Sequence, residues 1–455
     1  MLAVGSEPGR GGRWHAGTMP ASNGRDGGPT VGLVLPGGGA RGAYEAGALS
    51  VLLPALHERG ERVEIFCGTS VGAINAAMLA STAALSAREQ AGALAQTWAA
   101  LRKRDVIAPL IGPSSGLALL RLAGEALQVP GLRLAALLDP GPLSASLDRW
   151  IDWDALHANV RRGVVRAISV IATSLRGGGP VAFVDTARPA PRSDREIRYV
   201  RVRLRGEHVR ASAAIPLLFP PVQVACPRAA AGHYIDGGTR LNAPIAPALA
   251  LGADRIIVIG LEPLTSAPRG RRQPGPPTLV DVGANVLDGL LVDRVTEDVR
   301  RMTAINSFFV EDASGGLSPA ARAYRVAQGR EPYKRIAYAL VSPERRGALG
   351  ALADEVFQER YGGWRGVRSP DFVLLARLLG GGRARARGEL LSFLLFDEAF
   401  VAELLAAGRT DARRWLKQHP GFWSTDAARA DFEPPAARQV AEMTALDEYR
   451  MLRRS

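Results

Sequence analysis

The segment Cys67-Gly68-Thr69-Ser70-Val71-Gly72-Ala73 constrains this chain more than any other stretch. An apolar run (Val63, Ile65, Phe66) leads into it, and a helix-forming run from Ala73 to Leu79 leads out. The order is strand, tight turn, helix, with a serine at the turn. In a G-x-S-x-G elbow the glycines carry no Cβ, so the backbone can take a strained turn that lifts the hydroxyl clear of the sheet. The same turn sets Ser70 at a helix N-terminus, where unpaired amides and the macrodipole favour developing negative charge. Ser70 therefore reads as a candidate nucleophile. Taken alone, these five residues are equally compatible with a Gly-rich turn capped by a serine.

A second glycine cluster repeats the pattern. The apolar run Val31 to Leu35 enters Pro36-Gly37-Gly38-Gly39-Ala40-Arg41-Gly42, and an amphipathic helical segment follows from Ala43 to about His57. The cluster formally matches G-x-G-x-x-G, a dinucleotide-binding turn. However, the acids that would hold a ribose (Glu58, Glu61, Glu64) lie near the start of the next strand, whose end is occupied by the serine turn. Three consecutive glycines offer a run of uncovered amides that suits a small oxyanion. Gly37, Gly38 and Gly39 are accordingly expected to form an oxyanion hole.

A serine nucleophile needs a base. Of the six histidines, only His419 lies far downstream, in a charged stretch, where it makes a poor triad member. Gly232-His233-Tyr234-Ile235-Asp236-Gly237-Gly238 offers instead a short strand ending in an aspartate that can reach the serine directly. An ordinary Asp-Gly turn is the alternative. His233, three residues from Asp236, falls on the opposite face of an extended strand and is expected to be a packing or surface residue.

In that order, Gly37-Gly38-Gly39-Ala40-Arg41-Gly42, Gly68-Thr69-Ser70-Val71-Gly72 and Asp236-Gly237-Gly238 resemble the three signature blocks of the patatin-like phospholipases. Ala211-Ser212-Ala213-Ala214-Ile215-Pro216-Leu217-Leu218-Phe219-Pro220-Pro221 resembles the segment between elbow and aspartate. The resemblance covers about residues 30 to 345. It implies an α/β fold of three layers, a mainly parallel central sheet flanked by helices, with a C-terminal helical subdomain. It also implies a lipid acyl hydrolase with a Ser70-Asp236 dyad, an oxyanion hole at Gly37 to Gly39, an acyl-serine intermediate and no cofactor. Arg41, Gly42, Gly68, Gly72, Gly237 and Gly238 carry over as supporting motif positions. Arg41 could orient a substrate phosphate or satisfy carbonyls beneath the loop. The last block reads Asp-Gly-Gly where many members have Asp-Gly-Ala.

Composition fits an enzyme. The 455 residues are 47% hydrophobic, enough for a large core, and two cysteines (Cys67, Cys226) exclude a disulfide scaffold or a dense cysteine metal site. Residues 1–29 are rich in Gly, Arg, Pro and Ser without an apolar h-region and read as a disordered leader. The catalytic region is expected over 30–345 and a helical region over 346–455. No apolar run reaches the length of about 18 residues needed for a membrane span. A cytoplasmic protein, peripheral on the inner face of the membrane, is the expected address.

The net charge is +13, and residues 161–210 hold twelve arginines against four acids. Such a stretch suits anionic lipid head groups. It is also what an Arg-rich, Lys-poor composition produces by itself. No recognition helix or aromatic stacking pattern accompanies it, so nucleic acid is not an expected partner. Further strands are expected at Val164 to Thr173, Val181 to Val184, Tyr199 to Leu204, Arg255 to Gly260 and Arg335 to Val341. Pro109 to Leu143 is expected to form a lid, an interfacial helix or a core-covering pair, Ser266 to Thr278 a linker, and Asn285 to Phe309 a long helix. Leu390 to Leu405 is expected to be helical and to end at Gly408.

Overall fold

The computed structural model of the chain describes residues 28–108, 138–194, 196–216, 218–263, 336–362 and 384–424. Strand β1, Val31–Leu35, is buried along its whole length, as expected of a central parallel strand covered on both faces. Glycine turn 36–41 and helix α1, Gly42–His57, follow it. Strand β2, Val63–Thr69, then leads into helix α2, Val71–Ser81, and helix α3, Ala87–Ala100. Helices α4, Gly141–Trp150, and α5, Trp153–Arg162, precede strands β3, Ala167–Ser174, β4, Pro180–Asp185, and β5, Arg198–Arg201. Next come helix α6, Gly206–Ser212, strands β6, Val222–Val224, and β7, Gly232–Asp236, helix α7, Ile245–Ala250, and strand β8, Arg255–Ile259. Strand β9, Ala337–Val341, and helices α8, Ala348–Tyr361, α9, Ala384–Leu394, and α10, Glu398–Gln418, complete the described chain.

The sheet runs β5-β4-β3-β2-β1-β8-β9, with β7 on β3 and β6 on β7. The β1 pairings with β2 and β8, and those of β2–β3, β4–β5 and β8–β9, are parallel. Pairings β3–β4, β3–β7 and β6–β7 are antiparallel. Alternate side chains divide between two apolar layers. Leu33, Leu35, Phe66 and Ile257 face α1, α2 and α10, whereas Val34, Cys67, Ile256 and Val258 pack with Ala248 of α7. The fold is therefore the expected three-layer α/β arrangement around a mainly parallel sheet. From β1 the chain first builds outward through β2 and β3, and later returns to add β8 on the other side. The carboxyl ends of β1 and β2 thus lie at the point where strand order reverses, where such sheets open a crevice.

The C-terminal helices correct one expectation. The chain does not continue as one helix from Leu390 to a stop at Gly408. It breaks at Leu395 to Asp397, where the Asp397 carboxylate accepts the Ala399 and Phe400 amides (2.9 and 3.3 Å) and caps α10. Gly408 lies inside α10 because α10 crosses α1 at very close range. A Cβ on Gly408 would fall 2.1 Å from the Tyr44 carbonyl oxygen, and one on Gly47 would fall 2.3 Å from that of Leu405. Phe400 and Leu404 of α10 share the main hydrophobic core with α1. The expectations for 1–27, 109–137, the linker and the long helix lie outside the described residues.

Candidate active site

Ser70 stands between β2 and α2 with φ 54° and ψ −124°. A non-glycine residue reaches positive φ only at a cost of about 1–3 kcal/mol, so its surroundings must hold it there. The two glycines of the turn explain how. A Cβ on Gly68 would lie 2.2 Å from the Gly72 carbonyl oxygen, and one on Gly72 would lie 2.2 Å from that of Leu35. The turn is pressed onto itself and onto the end of β1, leaving no room for side chains. The Ser70 amide donates to Ser212 Oγ (2.8 Å), which donates to the Ile171 carbonyl of β3 (2.5 Å).

Strand β3 is the ledge that brings Asp236 to the serine. Its first half pairs with β2, with Thr69 opposite Ile171. Its end pairs with β7 running the other way, with Asp236 opposite Ala172. Two strands that approach head-on along one edge of β3 thus deliver Ser70 and Asp236 to the same point. Gly237 fits the junction because a Cβ there would fall 2.3 Å from the Ile171 carbonyl oxygen. The Asp236 amide donates to the Ala214 carbonyl (2.8 Å). The segment Ser212 to Ala214 therefore braces both residues.

The carboxyl group of Asp236 is fully buried. Oδ1 accepts the Gly238 amide (2.7 Å), while Oδ2 has no complete hydrogen bond. Burial raises its pKa from an ordinary 3.8 to about 7, offset in part by the neighbouring Ser70 hydroxyl and by the Gly238 amide. A hydroxyl close enough to steady the carboxylate, without an aligned hydrogen bond, is common for a base and its partner in an unliganded site.

The glycine turn lies beside the elbow. The Gly37 amide is committed elsewhere, donating to Asn242 Oδ1 at 2.8 Å. Of the three glycines expected to act together, Gly38 and Gly39 remain as candidate donors. Gly39, with φ 58°, opens a short 3-10 turn, whose first amides have no acceptor within the turn. Arg41 is fully buried under the loop. Its Nε donates to Ser392 Oγ (2.7 Å) and its NH2 to the Glu389 carbonyl (3.2 Å). It forms an ion pair with the Glu389 carboxylate, and its guanidinium lies 4.3 Å from the Phe393 ring centre. Arg41 does not line the cavity beside Ser70. Gly42 packs against Val71 and Trp98, where a Cβ would meet side-chain atoms at 2.4 and 2.6 Å.

Ser70 and Gly39 open onto an apolar cavity of about 590 Å³, mouth included. Val71, Ile74 and Met78 line it from one face of α2, opposite Trp98, Phe393 and Phe396. His233 is exposed and His419 stacks on Trp415. Sequence reasoning did not identify Asn242, the brace at Ser212 and Ala214, or Glu389 and Ser392. Ser212 and Ala214 do fall inside a recognised motif block, whereas the others carry no local signal.

A family model described as patatin-like phospholipase matches residues 33–249. Lysophospholipase nte1 of Aspergillus terreus is 41% identical over 76 residues, which is 16% of this chain and 5% of that protein. The chain therefore aligns with only a small part of that curated relative. Among solved structures, VipD from Legionella pneumophila is 15% identical, covering 86% of this chain and 67% of its own, with a TM-score of 0.32. Human GIVD cytosolic phospholipase A2, in complex with methyl gamma-linolenyl fluorophosphonate, is 14% identical, covering 85% and 60%, with a TM-score of 0.31.

Proposed function

Because residues 33–249 form a patatin-like phospholipase domain, we propose that this chain is a serine lipid acyl hydrolase. In this reading Asp236 accepts the Ser70 proton as the Ser70 oxygen attacks an ester carbonyl. The Gly38 and Gly39 amides and the first amide of α2 receive the oxyanion. Collapse expels the alcohol, which takes up the proton from Asp236, and leaves an acyl-serine. Water, deprotonated by Asp236, then adds to the acyl carbonyl, and the departing Ser70 oxygen takes that proton back as the fatty acid is released. The observation that carries the reading is the meeting of a strained serine with a buried carboxylate at Ala172 of β3, at the head of an apolar cavity.

The cavity indicates the substrate class. Apart from Ser70 and Thr97 the side chains that line it are aliphatic and aromatic, as an acyl chain requires. Met78 lies eight residues beyond Ser70 along α2, so the lined wall is about 12 Å long at 1.5 Å per residue. A medium-length acyl chain would span it. Arg161, Arg162, Arg188, Arg192 and Arg201 are exposed and give the surface a positive charge that suits anionic membranes. No helix among the described residues is long and apolar enough to cross a membrane.

Two measurements test this. A fluorophosphonate probe should label the parent and not Ser70→Ala, and labelling of both alike would remove the nucleophile assignment. Across a series of ester chain lengths, Met78→Ala should move the optimum toward longer chains and Met78→Phe toward shorter ones, each changing the long-to-short ratio of kcat/KM by about tenfold. An unmoved ratio would sever the cavity from the substrate.

A further inference from the structure

We propose that Glu389, on helix α9 and far outside the matched domain, is a positioning residue for the oxyanion loop, acting through Arg41. The inference rests on the acyl-hydrolase reading above. Three contacts converge. Arg41, the last residue of the glycine turn, sends every polar contact described above to α9: Nε to Ser392 Oγ, and NH2 to both the carbonyl and the carboxylate of Glu389. Its guanidinium lies over Phe393. The turn itself is seated on the same helix, since a Cβ on Gly39 would fall 2.1 Å from the Phe393 carbonyl oxygen. Thus Gly39, a candidate oxyanion donor that lines the cavity beside Ser70, rests on α9 by its backbone, and the residue two positions later is tied to α9 by its side chain.

Glu389 is the counter-charge that makes this tie. The Arg41 side chain is 1% exposed and cannot be left without an anion. The other carboxyl group near it, Glu262, accepts the Gly347 amide (3.1 Å) and is pushed by burial to about 7, so at neutral pH it is only partly charged. Glu389 in turn is held from behind by α8, where a Cβ on Gly350 would approach Glu389 Oε1 to 2.7 Å. The chain of contacts runs from α8 through Glu389 and Arg41 to the glycine turn. Oxyanion donors act only when their amides are aimed at the developing charge, and a displacement of about 1 Å from a distant substitution can cost about a hundredfold in rate.

A loop held off its proper position slows the chemical step without changing ground-state binding of the ester. In Glu389→Gln, kcat should fall about 10-fold to 100-fold with KM within about twofold of the parent. The inhibition constant of a trifluoromethyl ketone, whose hemiketal with the serine carries the oxyanion, should weaken by the same factor. Glu389→Asp, which keeps the charge, should recover part of the rate. Active-site titration normalises each rate to folded enzyme, which separates positioning from loss of structure. Should Glu389→Gln fail to fold, Ser392→Ala removes a single contact to Arg41 and should lower kcat several-fold with the same signature. If both variants, per titrated site, keep the parent's kcat and ketone affinity while only the melting temperature falls, α9 is scaffolding and the proposal is overturned. If the parent itself hydrolyses no ester, the failure belongs to the acyl-hydrolase reading instead.

Discussion

Two glycine turns leave neighbouring parallel strands side by side, and they are held in different ways. The elbow at Gly68 to Gly72 takes its shape from its own residues and the end of the adjacent strand, through contacts to the Gly72 and Leu35 carbonyls, with Ser212 bracing the Ser70 amide. The loop at Gly37 to Gly42 is locked from far along the chain: by Asn242 at the Gly37 amide, by Phe393 under Gly39, and by Glu389 and Ser392 around Arg41. The elbow is thus a local device that a short motif can encode. The loop is a tertiary device, and its motif records only the need for small residues and an arginine, not what they meet.

The largest expected effect falls on the elbow's partner. Asp236→Asn should lower kcat by about a thousandfold or more, and the double variant with Ser70→Ala should be no worse than the worse single one, because the two act as a unit. Its stability should move the other way. The folded carboxyl holds its proton up to about pH 7, whereas the unfolded chain loses it near 3.8, so the parent binds more protons when folded between those values. The Asp236 contribution to parent stability therefore falls as pH rises from about 4 to 7, by roughly 4 kcal/mol, and is constant above. The amide has no such penalty. Denaturant titrations at pH 4 and pH 8 should show Asp236→Asn level with the parent at the lower pH and more stable at the higher. The parent's kcat/KM should rise with pH through an apparent midpoint near 7, since the base must be ionised. A flat acid limb down to pH 5, or an active Asp236→Asn enzyme, would reassign the base.

Direct comparison of the turns comes next. Gly72→Ala drives a methyl group into the Leu35 and Pro36 backbone at the end of β1 and should lower stability and activity together, by about 3 kcal/mol or more and at least a hundredfold. Gly39→Ala must adopt φ 58° and also push against the Phe393 carbonyl. It too should cost stability, and lose about tenfold to a hundredfold in kcat. If Gly39→Ala retains full activity per titrated site, α9 does not set the loop and the contrast between the turns collapses.

This contrast also explains what the sequence disclosed. Strand-turn-helix periodicity around Ser70, and the apolar runs of β1, β3, β4, β8 and β9, are local patterns and were legible within a few residues of their ends. The meeting of Ser70 with Asp236 depends on β3 lending one edge to β2 and β7 in succession, a register that no local pattern expresses. It was reached instead through motif resemblance. The stop at Gly408 was misread for a related reason. A glycine that permits close helix crossing looks, in sequence, the same as one that ends a helix, and only the partner at Tyr44 distinguishes them. Glu389 and Ser392 had no signal at all, being separated from Arg41 by roughly 350 residues of chain.

The smallest expected effects concern the link between the turns. Asn75 of α2 donates to the Gly42 carbonyl (3.1 Å) and to Glu45 Oε2 (2.8 Å) of α1, and accepts Trp98 Nε1 (2.8 Å) from the cavity wall. It joins the helix that follows the loop to the helix that follows the elbow. Asn75→Ala would strand the Trp98 N–H and a Glu45 oxygen without partners, at about 1–3 kcal/mol for each group. Glu45→Gln should do much less. Burial raises the Glu45 carboxyl well above its ordinary 4.5, which favours its protonated form in the folded protein, and an amide of the same shape can still bond Asn75. The sign follows from that shift: the parent loses stability as pH climbs past 4.5, because only its unfolded chain releases the proton, whereas the amide variant does not. Melting temperatures across pH 4 to 8 should therefore coincide at the acid end and separate in favour of Glu45→Gln toward pH 8, with kcat within about twofold throughout. A severe loss of activity in Glu45→Gln would mean that an ionised Glu45 takes part in coupling the two turns, beyond the hydrogen bonds that Asn75 makes between them.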